Sequence, residues 1–244
     1  FPPSLFFQFN RFLGILRLHL QGTTPNIEQQ LRAALPETQM KVFHVLDGFL
    51  AADAAPSESG CFTLANKQRL LHQLQAAALA GADLILTTCS QLSAPAQDMA
   101  PFIGTPILTI DGPMIEHSVE RGRDIALISS AAGTVQPISE TIFREAARQG
   151  KTVELHVFCD DLAITALKAG DQAQHDERIR ILAGQIRGCD NVILAQASGA
   201  HMKEPVEQIT GLPVYTGLPY CAARIEVFAR QIEEKKGREN RDPE

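Results

Sequence analysis

One cysteine stands where parallel α/β proteins place their chemistry. Residues 84–86 (Leu-Ile-Leu) form a short apolar run, and Cys89 follows among hydroxyl residues at positions 87, 88 and 90. A continuous apolar run is typical of a buried parallel strand, and ligands bind at the carboxyl ends of such strands. A thiol at that position can act as a nucleophile, or as a proton acid and base. The sequence therefore makes Cys89 the first candidate catalytic residue, ahead of the alternative of a buried strand cysteine.

The pKa of the thiol decides which of these roles it can take. An unperturbed thiol has a pKa of about 8.5, and this value falls at a helix N terminus, which makes thiolate available near neutral pH. We therefore expect Cys89 to react with iodoacetamide faster than the other four cysteines of the chain.

A second copy of the same spacing occurs in the other half of the chain. Cys89 and Gln196 each lie six positions after an aspartate, and each is followed after 17 positions by a strand-opening proline, Pro106 or Pro213. Internal repeats of this kind indicate repeated structural units. The repeat predicts that Cys89 and Gln196 occupy equivalent places in two similar halves.

The repeat also predicts a binding site for a carboxylate. Thr24, Ser90, Thr134 and Ser198 follow strands that the repeat makes equivalent, and they precede or open helices. Turns that precede helices offer free N–H groups and a favourable dipole to anions. Each hydroxyl taken alone is more typical of an ordinary helix cap, so the prediction depends on all four converging.

These residues are positioned by alternating strands and helices, a pattern that predicts βαβ units and parallel sheets. The apolar runs predict strands at 12–20, 40–46, 84–86, 106–110, 125–129, 153–158, 192–195 and 213–216. Helical spacing predicts helices at 25–35, 64–80, 113–121, 137–149, 175–186 and 222–232.

The predicted fold class is α/β, with two similar doubly wound parallel-sheet domains related by a pseudo-twofold axis. We expect an N-terminal half over 12–121, a C-terminal half over 122–232 and a charged, fraying tail over 233–244. The candidate site would lie in the cleft between the two halves, where matching strand ends face each other.

Composition excludes several classes of function. The chain has 244 residues, 45 % of them hydrophobic, and a formal net charge of −6, which argues against nucleic acid or an anionic membrane as a partner. Five dispersed cysteines without CxxC spacing predict neither a disulfide framework nor a zinc site, and they favour a reducing, cytoplasmic location. Whether the chain forms a homodimer stays open.

Four segments together resemble the aspartate/glutamate/hydantoin racemase superfamily. They are LTTCSQLS at 86–93, PILTIDGPM at 106–114, IALISSAAGTVQP at 125–137 and LAQASGAHM at 194–202. The resemblance extends from about residue 12 to residue 232. It implies a two-domain fold and an enzyme in which two cysteines, one per domain, flank the α-carbon of a small carboxylate. It also implies that neither pyridoxal phosphate nor a metal takes part.

Carried over residue by residue, the resemblance makes Cys89 the first cysteine and places Gln196 at the position of the second. Thr134 matches a threonine that holds the substrate carboxylate, and Gln91 stands where many relatives have asparagine. The expected site consists of Cys89 and Gln196 as the catalytic pair and of seven substrate-binding residues: Thr24, Ser90, Gln91, Thr134, Val135, Ala197 and Ser198.

Gln196 changes the chemistry that this superfamily implies. An amide has no useful pKa near neutrality, so Gln196 cannot serve as a second acid or base. His201 and Ser198 lie close by in the sequence and are the next candidates for a second proton donor.

Four functions stay open. The first is a racemase-like isomerase that transfers a proton at the carbon α to the carboxylate of a small amino acid or related acid. The second is a single-cysteine decarboxylase or lyase of the same fold, as in arylmalonate decarboxylases, whose lone cysteine belongs to the other half. The third is a cysteine hydrolase with His44, His156 or His201 as its base. The fourth is a protein that binds a small carboxylate without catalysis.

Two strand-end aspartates and the remaining cysteines are weaker candidates. Asp47 and Asp111 follow predicted strands and could touch substrate or cap turns. The cysteines at 61, 159, 189 and 221 have no matching partners, and we interpret them as structural.

Overall fold

Parallel strands and helices alternate along the chain. The computed structural model describes residues 12–17, 27–36, 38, 40–47, 50 and 63–239. Its strands are β1 (Phe12–Arg17), β2 (Lys41–Leu46), β3 (Leu84–Thr87), β4 (Ile107–Thr109), β5 (Asp124–Ser129), β6 (Glu154–Cys159), β7 (Asn191–Leu194) and β8 (Val214–Tyr215). Its α-helices are α1 (Ile27–Ala34), α2 (Leu64–Leu79), α3 (Ser93–Met99), α4 (Gly112–Arg121), α5 (Ala132–Arg148), α6 (Asp161–Lys168), α7 (Gln172–Ala183), α8 (Lys203–Thr210) and α9 (Gly217–Glu239).

The described strands form two four-stranded sheets with the same topology. The first sheet has the order β2-β1-β3-β4 and the second has the order β6-β5-β7-β8. All neighbouring strands are parallel. The predicted α/β class with two similar parallel sheets is therefore confirmed.

The strands that lead to Cys89 and Gln196 are interior strands of their sheets. Every residue of β3 and of β7 is buried. Cys89 lies two residues beyond the end of β3, and Gln196 lies two residues beyond the end of β7. The two residues thus hold equivalent positions at the carboxyl ends of the two sheets, as the spacing predicts.

Helices α4 and α9 each pack in a core shared with the sheet of the other half. Met114 and Val119 of α4 are buried with strands β5 and β7, while Cys221 and Ile225 of α9 are buried with strands β3 and β4. A division at 121/122 stays a proposal about the repeat, because these two helices connect both halves through the core.

Gly217 lets the segments that follow β4 and β8 touch each other. A Cβ atom at Gly217 would lie 2.6 Å from the backbone oxygen of Ile110, too close for any side chain. The two sheets are therefore held together by backbone contact at this point as well as by α4 and α9.

Helix α5 begins at Ala132, five residues before the predicted start at Pro137. The carboxylate of Asp161 accepts a hydrogen bond from the N–H of Ala132 at 2.6 Å and so caps the helix from a distant part of the chain. Pro137 lies inside the helix and has no N–H to donate to the carbonyl of Gly133 four residues earlier. The predicted helix start at Pro137 was therefore wrong, because the capping group comes from tertiary structure.

Other boundaries also differ from the predicted ones. Helices α3, α6 and α8 were not predicted, because they have seven or eight residues each and so show little helical periodicity. Helix α9 spans 217–239 rather than 222–232, so the prediction of a fraying tail from residue 233 was wrong up to residue 239. Glu and Lys, which are good helix formers, fill this extension.

No helix in the described ranges is both long and apolar enough to cross a membrane.

Candidate active site

Cys89 lies between a buried strand and a short 3-10 turn over 90–92. Its side chain is partly exposed, and it packs against the apolar core that contains Leu92 and Ala96. The sequence folds this way because the apolar residues of β3 fill the sheet interior and the chain then turns directly into α3. The thiol thus lies at the carboxyl end of the sheet, with apolar groups on one side.

The surroundings of Cys89 raise the pKa of its thiol above the ordinary value. Burial raises its pKa to about 11, and the negative charge of Asp111 acts in the same direction. Hydrogen bonds from the N–H groups of Gln91 and Leu92 lower the pKa, but their effect is smaller than that of burial. This shift is opposite in direction to the one expected from the sequence, since a three-residue 3-10 turn does not offset desolvation.

We expect alkylation of Cys89 to be slow at neutral pH and to accelerate about tenfold per pH unit up to its raised pKa, because only the thiolate reacts. Cys159 is exposed, whereas Cys189 and Cys221 are buried. At pH 7 iodoacetamide should therefore label Cys159 before Cys89, which reverses the order expected from the sequence.

Mass spectrometry of the labelled peptides across a pH series measures both rates. Labelling of Cys89 that is faster than that of Cys159 at neutral pH, or that levels off near pH 8.5, would contradict the raised pKa.

Asp111 is a buried carboxyl group close to Cys89. Its side chain is 2 % exposed, and the hydroxyl of Ser93 donates to its Oδ1 at 2.6 Å. Its Oδ2 has no hydrogen-bond partner among the described residues. Burial raises the pKa of Asp111, and hydrogen bonds from Ser93 and Ser90 oppose that shift. Asp111 is thus the acidic group that can tune the protonation of Cys89.

Two side chains next to Cys89 bind the backbone of the second half. The hydroxyl of Ser90 donates to the carbonyl of Ala195 at 3.4 Å, and Nε2 of Gln91 donates to the carbonyl of Gly133 at 3.2 Å. That carbonyl is available because Pro137 supplies no N–H. The loop that carries Cys89 therefore lies against the segment that leads to its predicted counterpart Gln196 and against the first turn of α5.

Both the oxygen and the nitrogen of the Gln196 amide are hydrogen-bonded to residues of the second half. Its Oε1 accepts from the N–H of Ser130 at 3.1 Å, and its Nε2 donates to the hydroxyls of Ser129 at 2.9 Å and Thr134 at 2.7 Å. We name Ser129, Ser130, Thr134 and Gln196 the polar cluster. Gln196 holds the loop after β5 in place, so its direct role as a catalytic group stays a prediction.

The other expected binding residues lie around this cluster. The hydroxyl of Thr134 donates to the carbonyl of Ala131 at 2.8 Å and also contacts Ser129 at 2.8 Å. Val135 lies in the first turn of α5, and Ala197 and Ser198 open a 3-10 turn over 197–202. Thr24 lies outside the described residues.

None of the described histidines is hydrogen-bonded to Cys89. The three proposed as bases are each next to a carboxylate instead: His44 to Glu28 at 2.6 Å, His156 to Asp124 at 3.4 Å and His201 to Asp176 at 2.7 Å. The described part of the chain thus shows no thiol–imidazole pair of the kind that a cysteine hydrolase needs.

Asp47 is a structural carboxylate. It accepts three hydrogen bonds from Arg69, at 2.8, 2.9 and 3.0 Å, and one from the N–H of Leu50 at 2.9 Å. Burial raises its pKa, but these bonds outweigh burial and hold the pKa of Asp47 below its ordinary value. Asp47 is therefore an ionised carboxylate that connects the N–H of Leu50 with Arg69 of helix α2.

A cavity of about 360 Å³ lies away from Cys89, between α3, α4, α5 and α9. Its arginines are paired with acidic residues: Arg224 with Glu116 at 2.5 Å, Arg148 with Glu145 at 2.7 Å and Arg144 with Asp98. Because each arginine that lines this cavity is paired with an acidic residue, the described lining offers no unpaired cation to an anionic ligand.

Sequence reasoning missed the roles of Ser129, Ser130 and Asp161. The first two lie in the segment ISSAAGT, whose run of small residues at a strand end is the only signal that could have indicated them. Nothing in the local sequence connects Asp161 with the start of α5.

Comparison with known proteins supplies a family and a set of similar folds. The family described as Asp/Glu/Hydantoin racemase matches residues 21–225. No curated protein sequence matches the chain at a significant level.

Three solved structures illustrate the likeness of fold. A glutamate racemase from Bacillus anthracis is 12 % identical, with a TM-score of 0.67 over 91 % of this chain and 82 % of that one. An aspartate racemase from Picrophilus torridus is 14 % identical, with a TM-score of 0.63 over 90 % and 94 %. An allantoin racemase from Klebsiella pneumoniae is 12 % identical, with a TM-score of 0.59 over 91 % and 89 %. At these identities the likeness establishes the fold.

Proposed function

The chain belongs to the Asp/Glu/hydantoin racemase family, and from this premise we propose that it is a racemase-like isomerase in which Cys89 exchanges a proton at the carbon α to a carboxylate. The substrate is a small amino acid or a related acid, as in the names of the similar racemases. The observation that carries the proposal is the position of Cys89 at the end of an interior strand, in a loop that binds the second half at Ala195 and Gly133.

The N terminus of α5 supports binding of the substrate carboxylate. The dipole of this 17-residue helix favours an anion at this end, where the carboxylate of Asp161 already accepts a hydrogen bond from the N–H of Ala132. The hydroxyl of Ser198 has no side-chain hydrogen bond among the described residues, so it is available to a ligand. Thr24, Ser90, Gln91, Thr134, Val135 and Ala197 complete the proposed binding set.

Proton transfer by a single thiol follows from the residues present. Cys89 takes the α-proton in its thiolate form, which the raised pKa makes a small fraction of the protein at neutral pH. This step leaves a neutral thiol and an enediolate, and the thiol proton exchanges with solvent before it returns to the same carbon. Because Gln196 cannot donate a proton at neutral pH, we propose that the opposite face is protonated slowly.

A single-cysteine decarboxylase is the second candidate, and the raised pKa of Cys89 favours it. Loss of CO₂ from a malonate-type acid leaves an enediolate that needs one proton. A thiol that is protonated at neutral pH can supply that proton and then regain one from solvent. The Cys89 thiol would act in this reaction without first having to ionise.

Incubation with amino acids, hydantoins and malonates in deuterium oxide tests these proposals. Proton NMR should show loss of an α-proton signal from an amino acid or hydantoin for the isomerase, and release of a monodeuterated acid from a malonate for the decarboxylase. Binding of a carboxylate without either change, detected by a shift in melting temperature, would contradict both and leave the non-catalytic binding protein.

The dispersed cysteines also support a cytoplasmic location, which we propose together with the function.

A further inference from the structure

A second group of chemically active side chains lies on the second half, outside the site described above. His175 and Asp176 belong to α7, and His201 belongs to the 3-10 turn over 197–202. One nitrogen of each imidazole and one oxygen of the carboxylate lie within 4.8 Å of one another. The sequence suggested only a helix start at 175–176, because the third residue is distant in the chain.

The geometry brings both imidazoles to the same oxygen atom. Nδ1 of His175 lies 2.8 Å from Oδ1 of Asp176, and Nε2 of His201 lies 2.7 Å from that oxygen. In a tetrahedral zinc site the ligand atoms are about 2.0–2.1 Å from the metal and hence about 3.3 Å from one another. A shift of about half an ångström in each contact would therefore make room for an ion at the centre.

The chemistry of the three donors suits a transition metal. Asp176 offers a carboxylate oxygen that already faces a ring nitrogen of each imidazole. Among the described residues no lysine or arginine is paired with Asp176, whereas the nearby Arg178 is paired with Asp160 at 2.8 Å. Two imidazoles and one carboxylate favour zinc-class ions over magnesium or calcium.

The burial of the three residues indicates a built site. The side chain of His175 is 0 % exposed and that of Asp176 is 15 % exposed, while that of His201 is 39 % exposed and leaves a path to solvent. The buried Nε2 of His175 has no partner among the described residues, so the only hydrogen bond of this ring is the one that faces the cluster. The amide of Gln172, 3.4 Å from Nε2 of His201, can turn its oxygen inward as a fourth ligand.

We propose that His175, Asp176 and His201 form a binding site for one zinc-class divalent metal ion, which ties the turn over 197–202 to α7. That turn begins directly after Gln196 and contains Ser198. The ion would thus fix a segment that reaches the polar cluster, without contact with Cys89. The site does not depend on the proposed reaction, and its test needs no substrate.

Titration with Co²⁺, followed by visible absorption and by competition with Zn²⁺, tests the site on the whole chain. We expect one equivalent to bind with the spectrum of nitrogen and oxygen ligands. The variants His201→Ala and Asp176→Ala should each weaken binding by about tenfold or more, because even the outer partners of metal ligands contribute that much. His201 is accessible, so its replacement keeps the test open if a change nearer the core disturbs folding.

The matched control is His156→Ala, which removes an imidazole from a second group, formed by Asp124, Glu154 and His156. This variant should bind Co²⁺ as the unmodified protein does. Absence of saturable binding, unchanged binding in His201→Ala, loss of binding in His156→Ala, or a thiolate-to-cobalt absorption band would each overturn the proposal.

Discussion

Replacement of Cys89 by serine should lower the rate of α-proton exchange by roughly 10² to 10⁴-fold, the usual contribution of a general acid or base. A serine hydroxyl has nearly the same shape as the thiol but a much higher pKa, so it can neither take nor return the α-proton at a useful rate. Deuterium incorporation from deuterium oxide, followed by NMR, measures the loss.

Cys159→Ser is the matched control for this change. Cys159 is also a thiol at the carboxyl end of a strand, but it is exposed and lies on the outer strand β6. We expect this variant to exchange protons at the rate of the unmodified protein. Equal loss in both variants, or full activity of Cys89→Ser, would show that Cys89 is not the catalytic thiol.

Replacement of Gln196 by cysteine should speed inversion of configuration at the α-carbon by about tenfold or more, since a second thiol supplies the missing proton donor. The change also removes hydrogen bonds to Ser129, Ser130 and Thr134. At about 1 kcal/mol for each bond, the free energy of unfolding should fall by about 1–3 kcal/mol. Chiral chromatography measures inversion, and chemical denaturation measures stability.

Gln196→Ser separates the two effects, because it loses the same amide without gaining a thiol. We expect it to be destabilised to a similar degree and to gain no inversion. If Gln196→Cys folds and inverts no faster than Gln196→Ser, the position after β7 is not the place of the second proton donor.

The sequence predicts where Cys89 and Gln196 lie relative to the strands, because apolar runs and residue spacings are local features of the chain. Continuous apolar runs identify β3 and β7 as buried strands, and the shared 17-residue spacing from Cys89 to Pro106 and from Gln196 to Pro213 identifies them as equivalents. Each apolar run and each spacing can be read from residues that are near one another in the chain.

The direction of the Gln196 side chain could not be predicted in the same way. Its three partners lie 62 to 67 positions earlier in the sequence, so no local pattern connects them. The start of α5 shows the same limit, since its cap comes from Asp161, 29 positions away from Ala132.

The pKa of Cys89 depends on opposing effects of which only one is local. The N–H groups of Gln91 and Leu92 follow directly in the sequence and lower it, as expected. Burial against the apolar core and the charge of Asp111 depend on tertiary packing and prevail. Burial and the charge of Asp111 therefore shift the pKa of this thiol in the direction opposite to the one expected from the start of a helix.

We propose that one thiol, that of Cys89, exchanges the α-proton on one face of the substrate. The most direct test follows α-deuterium content and enantiomeric composition together, in one sample of the unmodified protein with an amino acid in deuterium oxide. We predict that deuterium enters with retention of configuration, faster than the opposite enantiomer appears. Inversion as fast as exchange would contradict proton exchange by a single thiol, because it requires a second proton donor facing Cys89.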